Sequence, residues 1–445
     1  MLKKFIIKKL YKTTDVVLNI KNGVNILIGE NGIGKTTILN LLHAFITTDI
    51  KKMCDVKYEK VIIEVSSHQY TFTSESISNI LAIFANDDHF LARRKPANNK
   101  NVIDNIIKIM SKRTDEDIKK YLKSSPRTFR EYIYKAETNN SSYEDFSIYD
   151  FDALRALFFS GAYKTLRKLI ELKKNIDFEV LYFPTFRRIE TDLKEFGFTE
   201  DDAERFLKNT QLRFGMNDVT IMLENKLNSI EKSIKISFSK MTTDLLEQYV
   251  SNNKYKTKKI NILNLDTIFS ILSESLPQKL KKQIFDMIED DSIYNNSNII
   301  LLNYINSLVD IYEEQSKNVG NIEDFVSVCN KYLYNKKMEF IKNELKVNIK
   351  SNDDENASIV FSNLSSGEKQ MISIFSKLYL DNDKDYFILF DEPELSLSIE
   401  WQRMLIPDIM KTKCCRQLLA VTHSPFIFDN DYDRNTRSLQ DCLIR

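Results

Sequence analysis

The chain has 445 residues, enough for two or three domains or for one domain with a large insertion. With 42% hydrophobic and 29% charged residues it reads as a soluble globular protein, and a net charge of +1 excludes a globally basic nucleic-acid binder or an acidic tail. Cys54, Cys329, Cys414, Cys415 and Cys442 form no CxxC pair and read as reduced thiols; the start carries no secretory signal, and no apolar run approaches the ~18 residues that span a bilayer, so a cytoplasmic chain without a membrane partner is expected.

Phe5–Ile7 and Val16–Ile20 alternate like paired strands. A turn at Asn22-Gly23 leads into Val24–Ile28, apolar throughout, as a strand buried on both faces of a parallel sheet is. Gly29–Lys35 is a glycine loop, and Thr36–Leu42 continues with helical spacing. Val61–Val65 and Gln69–Thr73 predict a further strand pair, Ser74–Asp177 is mostly helical, and Val180–Pro184 is a strand returning to the core. Val219, Leu223, Leu227, Ile230, Ile234, Phe238, Met241 and Leu245 fall at steps of three and four, one stripe on a long helix with a repeat nearer eleven residues than seven. That stripe fits a helix packed in a helical lobe and a projecting coiled coil equally. Helix is predicted on to about Lys346; then Val347–Ile349 and Ile359–Phe361 return to period two around the polar turn Ser351–Asn356. Leu364–Gln370, a helix, the apolar strand Tyr386–Phe390, another helix and the strand Gln417–Val421 complete the order.

Gly29-Glu30-Asn31-Gly32-Ile33-Gly34-Lys35-Thr36 matches GxxxxGK[ST], the Walker A pattern, between a strand and a helix as that motif requires. Three of the chain's nine glycines sit here, which argues against accident. The glycines let backbone N–H groups from Gly29 through Thr37 turn inward on phosphate oxygens, with a helix N-terminus behind them. Lys35 is expected on the β- and γ-phosphates of ATP, and Thr36 on Mg²⁺. Tyr386–Phe390 ends in Asp391-Glu392, a Walker B pattern: Asp391 for Mg²⁺, Glu392 to orient and polarise the attacking water. His423, in Thr422-His423-Ser424 after the strand that follows, is placed to reach a γ-phosphate oxygen. Leu364–Gln370 opens a helix, where Ser365, Ser366 and the backbone at Gly367 would face a γ-phosphate and Glu368 suits the dipole of the first turn.

The order Walker A, long insertion, LSSGEKQ, DEPE and THS resembles the ABC-type heads of the SMC, RecF and OLD-family ATPases. Asp391–Leu397 with Glu400-Trp401-Gln402, Tyr182–Glu190 and Phe214–Val219 are similar in particular to the OLD-like ATPases of bacterial anti-phage systems, PARIS foremost and then Septu and retron systems. Ser366 departs from the glycine that transporter-type ABC proteins carry there, and the glutamine loop is not placed, Gln69 being a candidate inside a strand-like run. The resemblance implies an α/β ABC-type P-loop head, a mixed sheet flanked by helices, split by a large helical or coiled-coil insertion. Head segments are then expected at 1–75, 178–192 and 347–445, with helical segments at 76–177 and 193–346.

It further implies an ATPase using ATP and Mg²⁺, in which two heads of a homo-oligomer sandwich nucleotide between Walker residues of one subunit and Ser365, Ser366, Gly367 and Glu368 of the other. OLD nucleases carry a TOPRIM domain after the ATPase; little chain follows His423, so the nuclease is expected on a separate effector protein, TOPRIM in PARIS-like and HNH in Septu-like systems, held by a sensor or scaffold until a phage-encoded trigger arrives. A DNA-clamping ATPase of the RecF or SMC kind is the alternative. Arg187-Arg188 fit phosphate, partner or a surface ion pair; the lysines at 254, 256, 258, 259, 279, 281 and 282 fit a solvated face better than DNA.

Overall fold

Three runs that are apolar on both faces, Gly23–Ile28 (β3), Tyr386–Asp391 (β9) and Cys415–Thr422 (β10), lie side by side in a parallel sheet. The computed structural model describes residues 1–30, 32–85, 98–123, 126–129, 148–184, 216–251, 277–342, 344–354, 358–381 and 384–444. Glu179–Phe183 (β6) joins β9 and Thr436–Ser438 (β11) joins β3, both parallel, in the order β11-β3-β10-β9-β6. Ile28 lies opposite Thr422 and Asp391 opposite Val421, so the carboxyl ends of β3, β10 and β9 finish level.

A second, antiparallel sheet is built from Leu2–Leu10 (β1), Thr14–Asn19 (β2), Lys60–Val65 (β4), His68–Thr73 (β5) and Leu443–Ile444 (β12), in the order β12-β2-β1-β4-β5. Its strands alternate as the sequence does: Phe5, Ile7, Val16, Leu18, Val61, Ile63, Tyr70 and Phe72 are buried on one face. Gln417 ties the sheets together. It is fully buried on β10, its Nε2 donates to the Leu2 carbonyl at 3.0 Å, and the Leu2 N–H donates to its Oε1 at 3.2 Å.

Lys35–Thr47 (α1), Ile50–Cys54 (α2), Ser74–Ala85 (α3), Asn98–Lys112 (α4), Asp115–Leu122 (α5), Ile148–Phe159 (α6) and Ala162–Lys174 (α7) share one core with both sheets. Leu39, Leu42 and Phe45 of α1, Ile77 and Ile80 of α3, Met110 of α4, Leu154 of α6 and Leu166 of α7 all belong to it. Helix Ile399–Met410 (α12) lies between β9 and β10 in sequence. These elements form one unit, Met1–Phe186 with Lys384–Arg445.

The other unit, Arg187–Asp383, is inserted between β6 and β9. It holds Asn217–Ser251 (α8), Gln278–Glu289 (α9), Ile299–Asn330 (α10), the antiparallel hairpin Lys336–Ile341 (β7) and Lys346–Ser351 (β8), and Ser366–Leu380 (α11). The predicted stripe is the packed side of α8: Val219, Leu223, Ile230 and Met241 are buried. Met241 and Phe238 pack with Ile284 and Ile288 of α9 and Leu302 and Ile305 of α10.

Three elements differ from the sequence reading. Helix was expected through Lys346, but β7 pairs with β8; only Met338 in β7 is deeply buried, so the run carries too weak an alternation to be recognised without its partner. Ile359–Phe361 forms no strand: Ser358 bridges to Lys350, and Phe361–Asn363 is one turn of 3₁₀ helix. β11 and β12, of three and two residues, extend the two sheets after His423 and are too short to show a period. Asn31, Thr185–Glu190 with Arg187 and Arg188, Phe214, Gly215 and the lysines at 254, 256, 258 and 259 lie outside the described residues. Lys279 and Lys282 are exposed on α9 and Lys281 is half-buried. Among the described residues no helix is long and apolar enough to cross a membrane.

His43 on α1 packs against Tyr182 on β6, with ring centroids 5.1 Å apart. Burial, and then the Lys52 ammonium, push its imidazole down to about 4. The unfolded chain therefore takes up a proton near pH 6.5 that the folded chain resists, and stability falls as pH drops from 6.5 towards 4. At pH 5 this one group costs about 2 kcal/mol relative to pH 7. His43→Phe keeps the ring contact and should flatten that slope in denaturant melts at pH 7, 6 and 5.

Candidate functional site

The level carboxyl ends of β3, β10 and β9 gather three sequence motifs at one edge of the parallel sheet, where ligands bind in open α/β sheets. After β3 the chain turns through the glycine loop into α1. Gly32 and Gly34 sit at φ 85 and φ 95, the left-handed region where a Cβ is strained. Gly34 is the N-cap of α1, so the N–H groups of the first helical turn, including those of Lys35, Thr36 and Thr37, open toward the loop. Gly29 extends β3, its N–H donating to the Thr422 carbonyl at 3.3 Å. Ile33 is partly buried against the core of this unit.

Lys35 is 5% exposed although charged. Its ammonium donates to the Gly29 carbonyl at 3.0 Å and lies 3.4 Å from Glu392 Oε1. Thr36 Oγ1 donates to Asp391 Oδ2 at 2.6 Å, joining the start of α1 to the end of β9 across 355 residues of sequence. Asp391 is 1% exposed. A hydroxyl and a carboxylate oxygen meeting in this way are the hard donors that Mg²⁺ takes. Among the described residues no group of three or more His, Cys, Asp or Glu side chains is arranged to hold a metal. On β6, the Tyr182 hydroxyl has no hydrogen-bond partner among the described residues, and burial followed by the nearby Asp391 carboxylate pushes its pKa up.

Glu392 adopts φ 52, uncommon for a residue with a Cβ, and its N–H donates to the Val421 carbonyl at 2.9 Å. The strand ladder thus continues one residue past β9 and then throws the chain into a left-handed turn that places the Glu392 carboxylate beside Lys35. His423 follows β10 directly, with its side chain 47% exposed. Its Nδ1 lies 2.7 Å from Oε1 of Glu394, a residue the sequence reading gave no role. The signal was there, as a second carboxylate two residues after Glu392, but the pattern alone does not say that it turns inward.

Ser365, Ser366, Gly367 and Glu368 lie in the other unit, at the start of α11. Ser365 is the N-cap: the Glu368 N–H donates to its Oγ at 3.3 Å, and the Ser365 N–H donates to Glu368 Oε2 at 2.8 Å, a complete capping box. Ser365 and Ser366 are exposed and Gly367 is buried. Glu368 is 1% exposed; its Oε1 also accepts from the Tyr334 N–H at 3.2 Å and from Lys336 Nζ at 2.9 Å. Burial pushes the Glu368 carboxyl up, and the Lys336 ammonium with the Ser365 and Tyr334 N–H groups overcome it, leaving the group below the usual glutamate range. The serine-presenting loop is thus fastened through Glu368 to the turn before β7.

Because its folded pKa is depressed, Glu368 adds stability that is present above about pH 4.5 and is lost as pH falls through its folded value. Lys336→Met strands a buried carboxylate and should cost about 2–3 kcal/mol at pH 7. The deficit should shrink below pH 4.5, and Glu368→Gln in the Lys336→Met background should recover part of it; thermal melts over that pH range measure both.

The family model described as "AAA ATPase domain" matches residues 1–428. Among solved structures, the chain is similar to the Smc head domain with a coiled coil and joint from Pyrococcus yayanosii (14% identity, covering 98% of this chain and 94% of that one, TM-score 0.32). It is also similar to the Smc head domain with an extended coiled coil bound to the C-terminal domain of ScpA from Pyrococcus furiosus (12% identity, 98% and 92%, TM-score 0.32). No curated protein matched the sequence. The family match covers nearly the whole chain and includes the glycine loop, Asp391, Glu392 and His423: the chain belongs to the AAA ATPase domain family.

Proposed function

We propose that the protein hydrolyses ATP to ADP and phosphate, and that two copies do so across a shared site. The observation that carries the reading is the meeting of Thr36 with Asp391 at 2.6 Å beside the buried Lys35, which lies 3.4 Å from the half-buried Glu392, all at the N-terminus of α1. The loop N–H groups take phosphate oxygens, and Lys35 offsets charge on the β- and γ-phosphates. Thr36 and Asp391 would hold Mg²⁺, which when bound neutralises charge on the phosphate oxygens. Glu392 orients a water whose oxygen attacks the γ-phosphorus in line. The bond to the bridging oxygen breaks, its electron pair leaves with ADP, and Glu392 receives the water proton on its way to phosphate or solvent. His423, at the end of the adjacent strand, meets the γ-phosphate and reports its presence.

Ser365, Ser366 and the backbone of Gly367 serve the nucleotide held by a second copy. The exposed serines and the N-terminus of α11 are what such a contact uses, and Glu368 sets their position from beneath. Binding two nucleotides then drives association of two chains, and hydrolysis releases it. The larger role we propose is that of sensor and scaffold in an anti-phage system of the PARIS kind, holding a separate TOPRIM-like nuclease until a phage protein is sensed. It is supported by the likeness of Asp391–Leu397 and Tyr182–Glu190 to the OLD-like defence ATPases. Co-purification of a nuclease encoded beside this chain, unaffected by DNase treatment, is the result expected; ATP-dependent, salt-sensitive DNA binding by the chain alone would instead favour a DNA clamp.

Glu392→Gln should lower turnover about 100-fold or more while leaving ATP bound in a persistent assembly. An unchanged hydrolysis rate removes the catalytic assignment. Lys35→Ala and Ser365→Arg should each be inactive alone, and mixing the two should restore part of the activity, because one intact site forms from the good halves of each. Mixed oligomers, verified by tagged pull-down, that still hydrolyse nothing would count against the shared site.

A further inference from the structure

Glu394 takes no part in the scheme above, yet it is 6% exposed and three donors converge on its carboxylate. Thr422 Oγ1 donates to Oε2 at 2.7 Å, the His423 N–H donates to Oε1 at 3.0 Å, and His423 Nδ1 lies 2.7 Å from that same Oε1. A carboxylate oxygen already accepting a hydrogen bond can meet Nδ1 at this distance only if Nδ1 carries its hydrogen. An Nδ1 donor leaves Nε2 as the ring nitrogen that other groups can meet, on a side chain that is 47% exposed. An imidazole whose other nitrogen is tied to a carboxylate is fixed in both tautomer and ring orientation.

We propose that Glu394 is a positioning residue for ATP hydrolysis: it locks His423 in the Nδ1–H form and presents Nε2 to the γ-phosphate. The inference rests on the reading of His423 given above and extends it to a residue outside the phosphate site. It also joins two loops. Glu394 lies two residues past Glu392, so the loop that orients water and the loop that meets the γ-phosphate share one carboxylate. A second link closes the ring independently: Ser424 Oγ donates to Gln402 Oε1 at 2.6 Å, and Gln402 Nε2 donates to the Leu397 carbonyl at 3.0 Å. That link holds the Leu397 and Ser424 segments together when Glu394 is changed, so a substitution there tests the histidine rather than the fold.

The experiment compares Glu394→Leu, which removes the acceptor, with Glu394→Gln, which keeps an acceptor oxygen, each in wild-type and His423→Ala backgrounds. The chain has four histidines, so ¹⁵N-histidine labelling reads the His423 tautomer directly. The expected result is an Nδ1–H signal in wild type and Glu394→Gln and a tautomer mixture in Glu394→Leu. The kcat of Glu394→Leu should fall about tenfold or more, matching His423→Ala, with a smaller change in KM and no further loss in the double variant. Retention of Nδ1–H in Glu394→Leu overturns the proposal, as does a loss that adds in full to that of His423→Ala, which makes Glu394 a loop scaffold. A slow His423→Ala beside a fast Glu394→Leu removes the positioning role alone. A wild-type rate for His423→Ala removes the γ-phosphate role of the histidine itself, and the positioning role with it.

Discussion

β10 bonds along both of its edges, to β3 on one side and β9 on the other, and this pairing fixes where every candidate catalytic group stands. Its partners come from opposite ends of the chain, and neither carries a complete site. β3 delivers the glycine loop and α1; β9 delivers Asp391 and Glu392; β10 itself delivers His423. The ladder runs past the regular strands, with Gly29 bonded to Thr422, Glu392 to Val421 and Leu439 to Ile28. A slip of one residue in either pairing would turn these side chains to the opposite face. Register is held because all three strands are buried and Gln417 ties β10 to Leu2 of the second sheet, leaving no cheap alternative alignment.

The parts most legible in the sequence are those where local chemistry admits one answer. Val24–Ile28 and Tyr386–Phe390 are too uniformly apolar to be surface elements, and a loop with Gly29, Gly32 and Gly34 before Lys35 suits only a tight turn into a helix. The stripe from Val219 to Met241 is equally plain, because a helix with one wet side repeats at three and four. β7 was not legible because Lys336–Ile341 draws its order from β8, a partner that a local window does not contain. The same limit applies to the site. Thr36, Asp391, Glu392 and His423 are recognisable because each belongs to a pattern; that Glu394 faces His423 depends on β9 and β10 being neighbours, which neither segment records.

Glu368 and Glu394 solve one problem in two places. Each sits beside an exposed group expected to touch phosphate, Ser365 in one case and His423 in the other, and each turns inward to collect hydrogen bonds from the backbone of that same segment. A buried carboxyl group is costly unless its oxygens are hydrogen-bonded, so each holds its loop to the one shape that supplies those bonds. Both glutamates therefore convert the cost of burying a carboxyl group into rigidity of a loop that presents an exposed serine or histidine.

Strain at Glu392 belongs to the same economy of position. Its φ of 52 is tolerated because the Val421 carbonyl holds its N–H and because Glu394, two residues on, is held by Thr422 and His423. Between those two anchors the chain must turn within one residue, and the left-handed conformation achieves that turn while pointing the Glu392 carboxylate at Lys35 rather than into the sheet. Glycine would make the turn without strain but would bring no carboxylate. The cost of the conformation, on the order of 1–2 kcal/mol, is what places an acid rather than bare backbone at the end of β9.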